Sequence, residues 1–198
     1  MKEIVIIKTG VANLASVIAG FKRAGTKTKV SVNPKEVINA THVMLPGVGH
    51  FGAGIKALED TGLAECIRER LDKELPTMSI CLGMQMLFEK SEESIETTGL
   101  GLVKGNVKKF SGALRVPQLG WNYVKADDSS KFIKSGYAYF ANSYHVADTP
   151  QDWICAKSNY GSDFVAGMEN GNFLALQFHP ELSGKWGLEI IKLSLIHI

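Results

Sequence analysis

Pro76–Glu89, PTMSICLGMQMLFE, is the stretch from which the rest of this sequence is best read. A short apolar run, Met78 to Ile80, stops at Cys81, and Leu82, Met86 and Leu87 then follow at helical spacing. A strand that turns sharply into a helix, with a thiol at the corner, is the layout of a nucleophile elbow. There the sulfur stands above the sheet and the helix N-terminus favours its anion. The competing reading is an inert cysteine buried at a strand end, which this stretch alone does not exclude.

Working outward toward the N-terminus, strand and helix patterns alternate. Glu3–Ile7 is an apolar run of the kind buried on both faces of a parallel sheet. Asn13 caps a helix with Leu14, Val17, Ile18 and Phe21 on one face and Gly25 just past its end. Lys29–Val32 reads as a second strand stopped by Asn33-Pro34, and His42–Leu45 as a third, followed by PGVGHFG (Pro46–Gly52). A helix with Leu63, Ile67, Leu71 and Leu75 on one stripe precedes the Cys81 strand. This βα alternation predicts a doubly wound parallel sheet whose ligands lie beyond the carboxyl ends of its strands.

The second half differs. After the acidic Ser91–Glu96 come short β-prone pieces: Asn106–Phe110, Trp121–Val124, Tyr137–Tyr144, Trp153–Ser158, Phe164–Met168 and Phe173–Phe178. Turns at Asn159–Ser162 and Glu169–Asn172 suggest hairpins, and a last helix starts near Gly184. The expectation is one domain over residues 1–198, α/β with an antiparallel extension.

The chain has 198 residues, 45% hydrophobic and 21% charged, and a net charge of +2, which leaves no basic footprint for nucleic acid. The apolar run in MKEIVIIKTG is too short for a signal peptide, and nothing approaches a membrane span. Three cysteines without CxxC spacing argue for a reducing compartment, hence the cytosol, and against a zinc ribbon.

Two further features converge on Cys81. In Gln177-Phe-His-Pro-Glu181 a strand ends in His179, and proline is expected to hold the chain extended so that Glu181 points the same way. The carboxylate can then orient one imidazole nitrogen while the other faces a nucleophile. No other histidine has a carboxylate two positions on, and a lone histidine without one is most often structural. Pro46-Gly-Val-Gly49 follows another strand, and its glycines free backbone N–H groups to face an oxyanion, although such turns are often only turns. Metal binding by Cys81, His179 and Glu181 lacks paired-ligand spacing, and no metal or cofactor is expected.

These residues resemble the class I glutamine amidotransferases over nearly the whole chain. CLGMQ and QFHPE are the blocks specific to that family, while PGVGHFG with LGWN (Leu119–Asn122) points to its branch of glutaminase subunits of imidazole glycerol phosphate synthase. The resemblance implies a flavodoxin-like fold of that family's type. It further implies Cys81 as nucleophile, His179 as general base and acid, and Glu181 as orienter. By the same resemblance Gly49 and Leu82 give the oxyanion-hole N–H groups, and Gln85, Glu93 and Ser143 hold the substrate glutamine. Trp121 and Asn122 would meet a separate (β/α)8-barrel cyclase subunit, in a heterodimer that makes imidazole glycerol phosphate for histidine synthesis from channelled ammonia. An ordinary strand aromatic remains the other reading of Trp121.

The sequence departs from the family pattern at several places. Ser79 replaces the first glycine of GxCxGxQ, Gln118 and Asn142 replace histidines, Lys8 stands where an acidic residue is common, and the last helix lacks its usual Asn-Phe. The alternatives are a paralogue supplying another synthase, or a catalytically silent regulatory subunit. A hydrolase using water alone is a third, against which QFHPE argues.

Overall fold

A computed structural model describes residues 3–10, 13–112 and 114–196. The first half runs β1 (Glu3–Ile7), α1 (Leu14–Arg23), β2 (Lys27–Ser31), α2 (Pro34–Asn39), β3 (His42–Leu45), α3 (Phe51–Asp60), α4 (Leu63–Asp72), β4 (Thr77–Ile80) and α5 (Leu82–Gln85). It continues with β5 (Phe88–Ser91), β6 (Val103–Lys109), β7 (Gln118–Val124), β8 (Gly136–Asn142) and β9 (Tyr144–Val146). Then come β10 (Ile154–Asn159), β11 (Asp163–Asn170), β12 (Phe173–Leu176), a 3₁₀ turn (Pro180–Leu182) and α6 (Gly184–Ile196).

The central sheet has seven strands in the order β10-β11-β12-β4-β3-β1-β2. Five of them, from β2 to β12, are parallel and follow the flavodoxin-like 2-1-3-4-5 order, while β11 and β10 add antiparallel to that edge. The doubly wound sheet with an antiparallel extension is therefore observed. Two smaller sheets stand apart, β5-β6-β9 and β7-β8. Within the first, β5 and β6 pair in parallel, a departure from the all-antiparallel second half that the turns suggested.

Apolar side chains fill both faces of the sheet. Val37, Ile55, Leu58, Leu63 and Ile67 from α2, α3 and α4 cover one face. Val17 and Phe21 of α1, Ile190 and Ile191 of α6, and Ala138 and Phe140 of β8 cover the other. Arg70 of α4 is fully buried, donating to the carbonyls of Val37 (3.0 Å), Ala40 (2.8 Å) and Pro76 (2.6 Å) and to the Thr77 hydroxyl (2.9 Å). Burial lowers its pKa to about 10, and with carbonyls in place of a carboxylate it ties the end of α2 to the start of β4.

Several boundaries differ from the sequence reading. The single helix expected before Cys81 is two, because Gly62 takes a left-handed conformation (φ 71°) between α3 and α4, and Leu75 falls beyond α4. Helix α2 has no helical period in the sequence, although Asn33 caps it and Pro34 opens it, because it is short and only Val37 on it is buried. β2 starts two residues earlier than expected, and Tyr137–Tyr144 is split at Ser143 into β8 and β9.

Candidate active site

β4 delivers Cys81 to the carboxyl edge of the parallel strands. Its N–H still donates to Leu176 O of β12 (2.7 Å), yet its own backbone sits at φ 55°, ψ −112°, a conformation most residues avoid. The chain reverses there because α5 packs directly onto the end of β3. A Cβ at Gly83 would come within 2.3 Å of Leu45 O, and one at Gly47 within 2.7 Å of Leu82 Cβ. The elbow is thus present, and Ser79 is accommodated on β4 opposite Leu45 and Ala175, its hydroxyl buried without a partner among the described residues. The helix after it is shorter than the spacing of Leu82, Met86 and Leu87 predicted. α5 ends at Gln85, and Phe88 already begins β5. One turn of helix gives little macrodipole, so the sulfur's partners matter more.

One of these is His179. Its Nδ1 lies 2.8 Å from Glu181 Oε1, and both side chains are more than 90% buried. Burial alone would pull the imidazole's pKa down. Hydrogen bonds to the Cys81 sulfur and to Glu181, reinforced by their charges, push it up instead, to about 10. The ring therefore stands as an imidazolium held between the Cys81 sulfur and the Glu181 carboxylate. Glu181 reaches it by a different route from the extended one expected. Pro180 opens a 3₁₀ turn, in which proline's fixed φ and missing N–H cost nothing at the first position, and the turn swings Glu181 back. Ser183 clamps the turn, donating to His179 O (2.6 Å) and accepting from Tyr139 N of β8 (2.9 Å). Helix α1 backs it: Arg23 donates to Glu181 O (2.8 Å), and Gly20 lies so close that a Cβ there would sit 2.6 Å from Glu181 Cβ.

A cavity of about 240 Å³ opens beside the sulfur, lined in part by Gly49, Cys81, Leu82, Gln85, Glu93 and Ser143. All five residues expected to hold glutamine or its oxyanion therefore line one space with the thiol. Among the described residues no cation lines it, and Glu93 together with Gln85, whose NH₂ is already engaged, makes its polar lining rich in acceptors, which suits an ammonium group. Glu93 Oε2 also accepts from Phe51 N at the start of α3 (2.7 Å). The Leu82 N–H is engaged by Gly47 O at 3.3 Å, so an oxyanion would have to take that donor from Gly47.

Gln177 joins the site although it is not among the residues expected there. Its Nε2 lies 3.8 Å from Cys81 Sγ and its Oε1 accepts from Gln85 Nε2 at 2.9 Å. The signal was available, since positions 177 and 179 share one side of an extended chain. The two residues expected at a partner surface part ways. Trp121 is 57% exposed, whereas the Asn122 amide donates to Asn159 O of its own chain (2.6 Å). Among the described residues no group of three His, Cys, Asp or Glu is placed to hold a metal, and no helix is long and apolar enough to cross a membrane.

A strained cysteine over a parallel sheet, paired with a buried His–Glu couple, is the arrangement of one amidotransferase class, and the family model for class-I glutamine amidotransferases matches residues 5–198. This chain belongs to the class I glutamine amidotransferase family. Among curated relatives, the imidazole glycerol phosphate synthase subunit HisH of Moorella thermoacetica is 36% identical, over 97% of this chain and 93% of that protein. The subunit of the same name from Thermus thermophilus is 40% identical, over 96% and 94%. The chloroplastic imidazole glycerol phosphate synthase hisHF of Arabidopsis thaliana is 34% identical over 96% of this chain but 33% of its own length. Among solved structures, PurLQS from Thermotoga maritima superposes with a TM-score of 0.77 at 17% identity, covering 99% of this chain and 98% of that one, a likeness of fold.

Proposed function

We propose that this chain is the glutamine-hydrolysing subunit of an imidazole glycerol phosphate synthase, working through Cys81, His179 and Glu181. The Cys81 thiolate attacks the side-chain amide carbon of glutamine. His179, already carrying a proton, gives it to the departing ammonia while Glu181 holds the ring. Water, giving a proton to the now neutral imidazole, then attacks the γ-glutamyl thioester, releasing glutamate and restoring the thiolate and the protonated ring. Gly49 and Leu82 N–H groups receive the oxyanion, and Glu93, Gln85 and Ser143 hold the amino-acid end of the substrate. The observation that carries this reading is the buried His179–Glu181 contact of 2.8 Å beside the Cys81 sulfur.

The ammonia passes to a cyclase partner. Full-length similarity to relatives named as synthase subunits supports this, as does the Arabidopsis protein, of which this chain matches only a third. The outer face of β7 and β8 suits such a partner: Leu119, Trp121, Tyr123 and Tyr137 are exposed there by 46–62% and form a row of large apolar side chains. The cytoplasm is the compartment that fits this reading. Glutamate release measured with and without a histidine-pathway cyclase and its phosphorylated substrate tests it. Strong stimulation supports the assignment; equal turnover in both conditions would remove this partner, and no turnover in either would remove the activity.

A further inference from the structure

Gln177 is fully buried at the end of β12, one hydrogen bond from the nucleophile and one from the substrate cavity. Gln85 Nε2 donates both to Gln177 Oε1 (2.9 Å) and to Tyr144 O (2.9 Å). Asn142 Nδ2 donates to the same Tyr144 carbonyl at 2.9 Å. A side-chain amide can be turned end for end, but a backbone carbonyl can only accept. Tyr144 O therefore fixes the direction of the whole chain: Gln85 must present its NH₂ to it, and the second hydrogen of that NH₂ requires the oxygen of Gln177. Gln177 is left with its NH₂ facing Cys81 Sγ, and Gln85, which lines the cavity, is left with its Oε1 as the uncommitted polar atom.

We propose that Gln177 is a positioning residue that joins the two halves of the site, aiming a donor at the Cys81 sulfur while locking Gln85 so that only an acceptor faces the substrate. This rests on the glutaminase reading above and adds to it a residue and a direction. A neutral donor on the sulfur supports the attacking anion alongside His179. A locked acceptor at Gln85 welcomes the ammonium or amide N–H of glutamine and offers nothing to a carboxylate. The thiol and the recognition group are then set by one buried side chain, so neither can turn without the other.

Two variants separate the two effects. Gln177→Met removes both the donor and the acceptor at similar volume. Gln177→Glu keeps an acceptor for Gln85 and replaces the donor with a negative charge. The readouts are the pH dependence of Cys81 alkylation by iodoacetamide, followed by peptide mapping, and KM and kcat for glutamine. Both variants are expected to move the alkylation profile to higher pH, slowing the reaction at pH 7 by about tenfold, since a charge-assisted hydrogen bond is worth roughly that factor. KM is expected to rise by about tenfold in Gln177→Met and to change little in Gln177→Glu. Thermal melting confirms folding, and alkylation in a variant that folds poorly is read against Cys81 in whichever of the two is intact. An unchanged alkylation profile together with an unchanged KM in Gln177→Met overturns the proposal. A wild-type chain that hydrolyses no glutamine under any condition overturns instead the reading on which it rests, while the alkylation profile still reports on Gln177.

Discussion

Cys81 holds a backbone conformation that costs about 1–3 kcal/mol at a residue with a side chain, and the tight seat of α5 on β3 is what maintains it. The chemistry next to it is an ion pair. Because His179 is raised above its ordinary 6.5 to about 10, its contribution to stability is fully present below about 6.5 and is lost as pH rises through about 10. An NMR titration of the His179 ring should therefore find it charged at pH 8, and in Cys81→Ala, which removes its hydrogen-bond partner on that side, its midpoint should fall. A midpoint unmoved by that change would mean that the sulfur is not its partner. Removal of the ring and removal of its orienter should also differ. His179→Ala should lower kcat by about 10⁴-fold and Glu181→Ala by about 10²-fold, because only the ring transfers protons. Steady-state glutamate release measures both, and the reverse order would exchange their roles.

At the scale of elements, the site hangs on two short pieces held from behind, the one-turn α5 and the 3₁₀ turn carrying Glu181. Gly20 on α1 is where that support is tightest. Gly20→Ala should press the turn away from His179, cutting kcat by about tenfold and costing about 1–3 kcal/mol in overpacking, whereas Lys22→Ala on the exposed side of α1 should do neither. Activity and urea midpoints measured on the two variants separate a local push from a general loss of helix. The elements also differ in how legible they were in the sequence. The parallel strands could be read because β1, β3 and β4 are short, mostly apolar runs bounded by turn residues, and Cys81, His179 and Glu181 because their pattern answers to one chemistry. The shortness of α5 and the 3₁₀ turn could not. Met86 and Leu87 are buried like helix residues, and Pro180 is as compatible with a turn as with extended chain. Nor could the Gln177–Gln85–Tyr144 chain, which exists only once β9, β12 and α5 are brought together.

On the whole molecule, the cavity beside Cys81 and the aromatic face of β7 and β8 are neighbours: Pro117, Ala141 and Asn142, at the end of that ribbon, line the cavity. A partner seated on the ribbon would lie over the point where ammonia is released, which keeps the ammonia from bulk water, where it would protonate to unreactive ammonium. Trp121, the largest exposed side chain there, should act as an anchor. Trp121→Ala should weaken cyclase binding by roughly 30-fold, as read by calorimetry. Unchanged affinity would place the interface elsewhere.

Every step from thiolate to released ammonia requires Cys81 to be the group that glutamine meets. Treatment with a glutamine-analogue electrophile followed by peptide mass spectrometry asks this directly, because the other two cysteines, Cys66 and Cys155, are also buried and free and serve as internal controls. Burial pushes the pKa of both upward, that of Cys155 to about 11, so they should stay unlabelled. The expected result is one label, on Cys81, with glutamate release lost in proportion and protected by glutamine. Label on Cys66 or Cys155 with Cys81 untouched, or full glutamate release from a chain labelled at Cys81, would contradict it.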